Sequence, residues 1–146
     1  MILLNDESIG LLQACDSGTK TGMNSIRPVL DKVHDVELLR LLTHSMETHE
    51  KLGKEIMALL ETAKQEGRDP SAMARIGAWF KISMELLMEP TDNTIADLIT
   101  DGCNMGVKQI SVYFNRYPNA DSKVKALADR LRIEEEQLAK QLRLYL

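Results

Sequence analysis

Apolar positions in this chain recur every three or four residues over long stretches, the spacing of helix faces, and show no two-residue alternation of a strand. Turn residues cut the pattern into five segments. Asp35 is placed to cap a helix that runs toward Gly67, and Asp69-Pro70 combines an N-cap residue with proline at a first helical position. Glu89-Pro90 ends that next helix, Asp92 is placed to cap another, and Tyr117-Pro118-Asn119 breaks the chain before Asp121 opens the last. The predicted segments are 6–33, 36–66, 71–88, 92–117 and 121–145. In the first, Gly18 and Gly22 are poor helix formers and Pro28 removes the bond to residue 24. Leu12, Cys15, Met23, Ile26, Leu30 and Val33 nevertheless hold one stripe at about 100° per residue, which predicts a single kinked helix.

Four segments of about 25 to 30 residues, each about 40 Å long, are the parts of a four-helix bundle. The expectation is one all-α domain over residues 1–146, with segment 71–88 as a short crossover helix between the second and third long helices. Met73, Ile76, Phe80, Met84 and Leu87 give that crossover one apolar face, with Trp79 at its border.

Composition agrees: hydrophobic residues make up 44% and aromatics only 4%, while Leu, Met, Ala, Glu and Lys dominate, a mix that favours helix. A net charge of -4 and dispersed basic residues argue against a nucleic-acid partner. No apolar run nears the roughly 20 residues that cross a bilayer, and the N-terminus meets acid by Asp6 without a signal-peptide pattern. Cys15 and Cys103 lack CxxC spacing and read as thiols of a reducing compartment, so the expected location is cytoplasmic.

Chemistry is concentrated in "LLTHSMETHEKLGKE" (41–55), which holds two histidines and three glutamates on one helix. On a helical wheel His49 falls within about 20° of Ile56, inside the stripe of Leu38, Leu42, Ser45, Leu52 and Leu60. His44, Glu47 and Glu50 fall outside it, and Glu47–Lys51 and Glu50–Lys54 fit surface pairs. On the last helix Glu135 lies inside the stripe of Val124, Leu127, Leu131, Leu138 and Leu142, whereas Glu134 and Glu136 do not. Cys103 is inward on the third long helix. Counted from the turn near 119, Cys103 and Glu135 are each about 16 residues away, so a hairpin puts them level. Counted from the turn near 34, His49 faces the first helix around Thr19 or Lys20. His49, Glu135, Cys103 and Thr19 are therefore candidates for one mid-bundle polar layer. That layer is either a buried pair that fixes helix register or a metal or ligand site.

The long kinked first helix, the crossover and the mid-bundle layer together resemble the ferritin-like superfamily. "DLITDGCNMGVKQI" (97–110) and "EEQLAKQLRLYL" (135–146) also resemble small uncharacterised bacterial bundle proteins. The resemblance implies a di-iron pattern, a Glu from each of two helices and Glu-x-x-His from each of the others. Here Met46 stands three residues before His49 and Leu138 three after Glu135, while the first helix turns Cys15, Thr19 and Gly22 inward and the third Gly102, Cys103 and Gly106, with no glutamate among them. Two of the six expected ligands remain. A single zinc or iron ion held by His49, Cys103 and Glu135 is the metal reading that survives, since those donors suit zinc. Gly102-x-x-x-Gly106 reads as close helix approach, and the eight methionines, Met84 and Met88 among them, as core filling. With no complete catalytic set, the expected function is non-enzymatic: a bundle that self-associates as a homo-oligomer or binds another protein. The alternative is a degenerate ferritin-like metal or small-ligand binder.

Overall fold

Each long helix is started by a side chain that satisfies the free amides of its first turn. Asn5 accepts from Ser8 N at 2.8 Å, Asp35 from Leu38 N at 2.9 Å, and Asp121 from Lys123 N at 2.9 Å. The structure, a computed structural model, describes residues 3–65, 67 and 71–146. Its helices are α1 (Asp6–Ile26), α2 (Val36–Thr62), α3 (Ser71–Leu86), α4 (Asp92–Arg116) and α5 (Ser122–Leu142). Short 3-10 turns follow α1 at Arg27–Lys32 and α5 at Arg143–Tyr145, and all regular structure among the described residues is helical. No helix among them is long and apolar enough to cross a membrane.

Where boundaries and caps differ from expectation, the causes are local. The first segment stays α-helical only to Ile26; the chain then tightens into the 3-10 turn, with Pro28 in its first positions where a missing N–H costs nothing. The second ends at Thr62, short of residue 66. There Lys64 takes a left-handed φ of 56°, while Lys64 N donates to Glu61 O (3.0 Å) and Gln65 N to Leu60 O (2.8 Å). This is a Schellman stop with lysine where glycine is usual. The Asp69-Pro70 start signal lies outside the described residues. At α4 the cap is Thr91, not Asp92: Thr91 and Thr94 exchange a capping box.

Asp92 is thereby released for a long-range task. Its carboxylate accepts from the amides of His34 (2.8 Å) and Asp35 (2.9 Å), which ties the α1–α2 turn to the start of α4. At the other end, Asn119 N donates to Glu7 (2.7 Å) and Asp121 N to Ser8 Oγ (2.7 Å), tying the α4–α5 turn to the start of α1. Helix α1 packs against all four other helices, α2 chiefly, while α4 and α5 pair closely and α3 lies on α1 and α4.

The apolar stripes meet in two clusters. One holds Leu11, Cys15, Leu52, Ile56, Leu60, Met73, Ile110, Val124 and Leu131; the other holds Ile26, Val29, Leu38, Leu42, Phe80, Ile95, Ile99, Leu138 and Leu142. On every long helix the chain passes from one cluster to the other, and the residues at the passage are small or polar. Met88, expected in the core, is 95% exposed, since α3 ends before it.

Candidate functional site

The passage between the clusters is where His49 and Glu135 meet. On α2, His49 sits between Leu42 and Leu52; on α5, Glu135 sits between Leu131 and Leu138. Both are buried, His49 completely. Helix α1 contributes Gly22, whose absent Cβ leaves room for the imidazole: a Cβ there would lie 2.5 Å from the ring. Helix α4 contributes Gly106 opposite the carboxylate and Cys103 beside it.

His49 Nδ1 lies 2.8 Å from the Ser45 carbonyl oxygen, with Ser45 Oγ at 3.5 Å. A carbonyl only accepts, so Nδ1 carries a proton and donates it. Nε2 lies 2.6 Å from Glu135 Oε1, the short range of charge-assisted bonds. That contact needs a second proton, whichever atom holds it. The pair is therefore neutral as a unit, imidazolium with carboxylate or imidazole with carboxylic acid. Burial pulls the imidazole's pKa down, but the hydrogen bond to Glu135, the charge of that carboxylate, the Ser45 carbonyl and Glu134 outweigh it, and the pKa stands above its ordinary value.

Cys103 completes the cluster as a protonated thiol. Burial pushes its pKa well up, the Glu135 charge adds to this, and the thiol donates a hydrogen bond to that carboxylate. Cys15 is buried in the first cluster, its pKa pushed up to about 12 by burial and by neighbouring Asp16. Thr19 does not join the layer. Its hydroxyl donates to Asp16 O at 2.9 Å, and its side chain packs on Gly53, on the α1–α2 seam. The α1 position that faces His49 is Gly22, nearly one turn beyond the predicted level. His44, Glu47 and Glu50 are exposed, and Glu50 pairs with Lys54 at 3.4 Å.

A cavity opens beside the pair, with about 40 Å³ accessible to the centre of a water molecule. Its walls are Ile26, Phe80, Ile99, Ile110, Leu131 and Leu138; its polar lining is His49, Glu135, Cys103, Thr21 and Ser25. Gly18 and Gly22 on α1 and Gly102 and Gly106 on α4 also line it. The Gly102–Gly106 motif therefore does not serve close helix approach at position 102, where a Cβ would meet nothing within 4 Å. Thr21 and Ser25 were not singled out by the sequence. The signal that marks the cavity is a pair of glycines four residues apart on each of two helices, at the height of an inward histidine.

A metal centre does not fit these residues. Nδ1 of His49 is spent on a backbone carbonyl, and Nε2 shares a proton with Glu135 at a distance that leaves no place for an ion between them. Three residues before His49 and three after Glu135 stand Met46 and Leu138, neither of them a carboxylate or an imidazole. No group of three or more His, Cys, Asp or Glu among the described residues is disposed to hold a metal ion.

No protein-family model and no curated protein matches the chain. The crystal structure of a DUF305 fragment from Deinococcus radiodurans is similar to it, with a TM-score of 0.76 at 12% identity, covering 97% of this chain and 95% of that one. At that identity the likeness is one of fold alone.

Proposed function

We propose that this chain is a ferritin-like four-helix bundle, with α1, α2, α4 and α5 as the long helices and α3 as the crossover, that works as a cytoplasmic, non-catalytic binder of a small molecule. Two braces support the architecture. Asp92 and the α1–α2 turn share one end, and Ser8 and the α4–α5 turn share the other. Helices α2 and α4 then start at the same end, and the link that carries α3 has the length of the bundle to cover.

One observation carries the binding reading: the cavity is kept open at a cost in stability. Gly102 lies in the middle of α4, where glycine is about 1 kcal/mol worse than alanine, and an alanine Cβ there would clash with nothing. A helix that only had to pack would gain from alanine; a site that had to stay open would not. The test fills the space. Gly102→Leu should raise the melting temperature of the free protein and abolish the thermal shift that compact metabolites give the wild type. A wild type that no compact metabolite stabilises defeats the reading.

A second reading, self-association, rests on a different surface. Ile82 and Leu86 on α3 and Met88 just beyond it are 57%, 76% and 95% exposed, an apolar patch suited to a second copy of this chain.

A further inference from the structure

The cavity's electrical character limits what it can hold. We infer that its ligand is a small neutral alcohol, whose hydroxyl donates to Glu135 while its apolar tail lies along the groove between α1 and α3; this rests on the interior-binding reading above.

Neutrality follows from proton counting. His49 and Glu135 carry no net charge together, and the other walls of the inner cavity are apolar or uncharged, the charged Lys32, Lys81 and Glu85 lying on the outer groove. An ammonium or a carboxylate would enter with no counter-charge, a heavy desolvation loss. A neutral molecule has no such loss.

The need for a donor follows from the carboxylate's unused capacity. A carboxylate offers about four lone-pair sites. His49 Nε2 takes one on Oε1 and the Cys103 thiol another. Oε2 borders the space left by the absent side chain of Gly106, 3.6 Å from where a Cβ would stand. The ligand group that suits it is an O–H, which can also accept from Thr21 or Ser25. In the imidazolium–carboxylate form the acceptor is charged, which makes that bond stronger than one between neutral groups.

Access and shape come from a second hollow. The outer groove between α1 and α3 shares Thr21, Ser25, Met73 and Phe80 with the cavity, so the two hollows adjoin across those side chains. Gly77 of α3 also lines that groove, beside Thr21. A short tail directed toward the groove need not lie wholly within the cavity, and a chain of about four carbons serves as the probe.

1-Butanol and diethyl ether have the same atoms, but only the alcohol can donate. Titrating each into the intact protein, followed by NMR shifts of the Gly102, Gly106 and Cys103 amides, separates the claims. The alcohol should bind about tenfold more tightly than the ether, the worth of one hydrogen bond to a charged group. 1-Butylamine, protonated at neutral pH, should bind at least tenfold more weakly than the alcohol. Gly102→Leu should abolish the alcohol's shifts, with Gly102→Val as a smaller replacement if leucine disturbs the fold. Equal binding of alcohol and ether, or preference for the amine, overturns the neutral-alcohol inference and leaves interior binding standing. Binding undiminished in both Gly102 variants, or shifts confined to other parts of the chain, overturns both. So does the absence of any shift with all three probes.

Discussion

At the scale of a residue, one shared proton sets the behaviour of the interior. It lies between His49 Nε2 and Glu135 Oε1, while Ser45 O fixes the other imidazole proton. Removing one partner leaves the other buried without its hydrogen-bond partner, so His49→Ala should lower unfolding stability by about 3 kcal/mol or more in urea denaturation. Replacing both with leucine should recover most of that loss. A single variant as stable as the wild type would show that the pair does not hold the core. The pH dependence has a definite sign. Because the imidazole's pKa is raised in the folded protein, the stability it contributes is complete below the free imidazole's value, about 6.5, and declines as pH rises through the folded value. Glu135 and Glu134 support the charged ring, and the Cys103 thiol shares the same carboxylate. Urea midpoints of wild type and His49→Gln should therefore diverge most near pH 6 and converge toward alkaline pH. A gap that widens with pH would contradict the assignment.

At the scale of an element, what was legible in the sequence is what depends on a single helix. Stripe and wheel placed His49 and Glu135 inward and Glu47 and Glu50 outward, because side-chain direction follows from position along one helix. Asp35 and Asp121 were readable as caps for the same reason. What escaped depended on two elements at once. Thr19 was matched to His49 by counting from a turn, but Pro28 and the 3-10 stretch change the rise per residue, and the height shifted to Gly22. Asp92 resembled a cap, and its use by a turn 57 residues earlier left no local mark. The end of α2 escaped for another reason: lysine is not the residue that announces a left-handed stop. That choice gives a prediction. Lys64→Gly should raise stability by about 0.5–1 kcal/mol, since glycine holds a φ of 56° without the strain of a Cβ. Urea denaturation with an unchanged slope checks it, and a loss of stability would mean the lysine side chain supports that stop in another way.

At the scale of the whole molecule, the core is two apolar clusters joined across a layer of glycine, imidazole and carboxylate. The patch of Ile82, Leu86 and Met88 lies outside both, and its exposure is the ground for expecting a second copy. Light scattering should report a defined oligomer that Leu86→Glu reduces to the monomer; a wild type that is monomeric at high concentration removes that reading. Cys15 has a consequence of its own. With its pKa pushed to about 12, roughly one molecule in a hundred thousand bears a sulfur anion at neutral pH, and the unionised form hardly reacts with alkylating reagents. Each alkylated Cys15 would then record a moment when the cluster around it came apart, so the rate of labelling counts openings of the native protein without any engineered reporter residue.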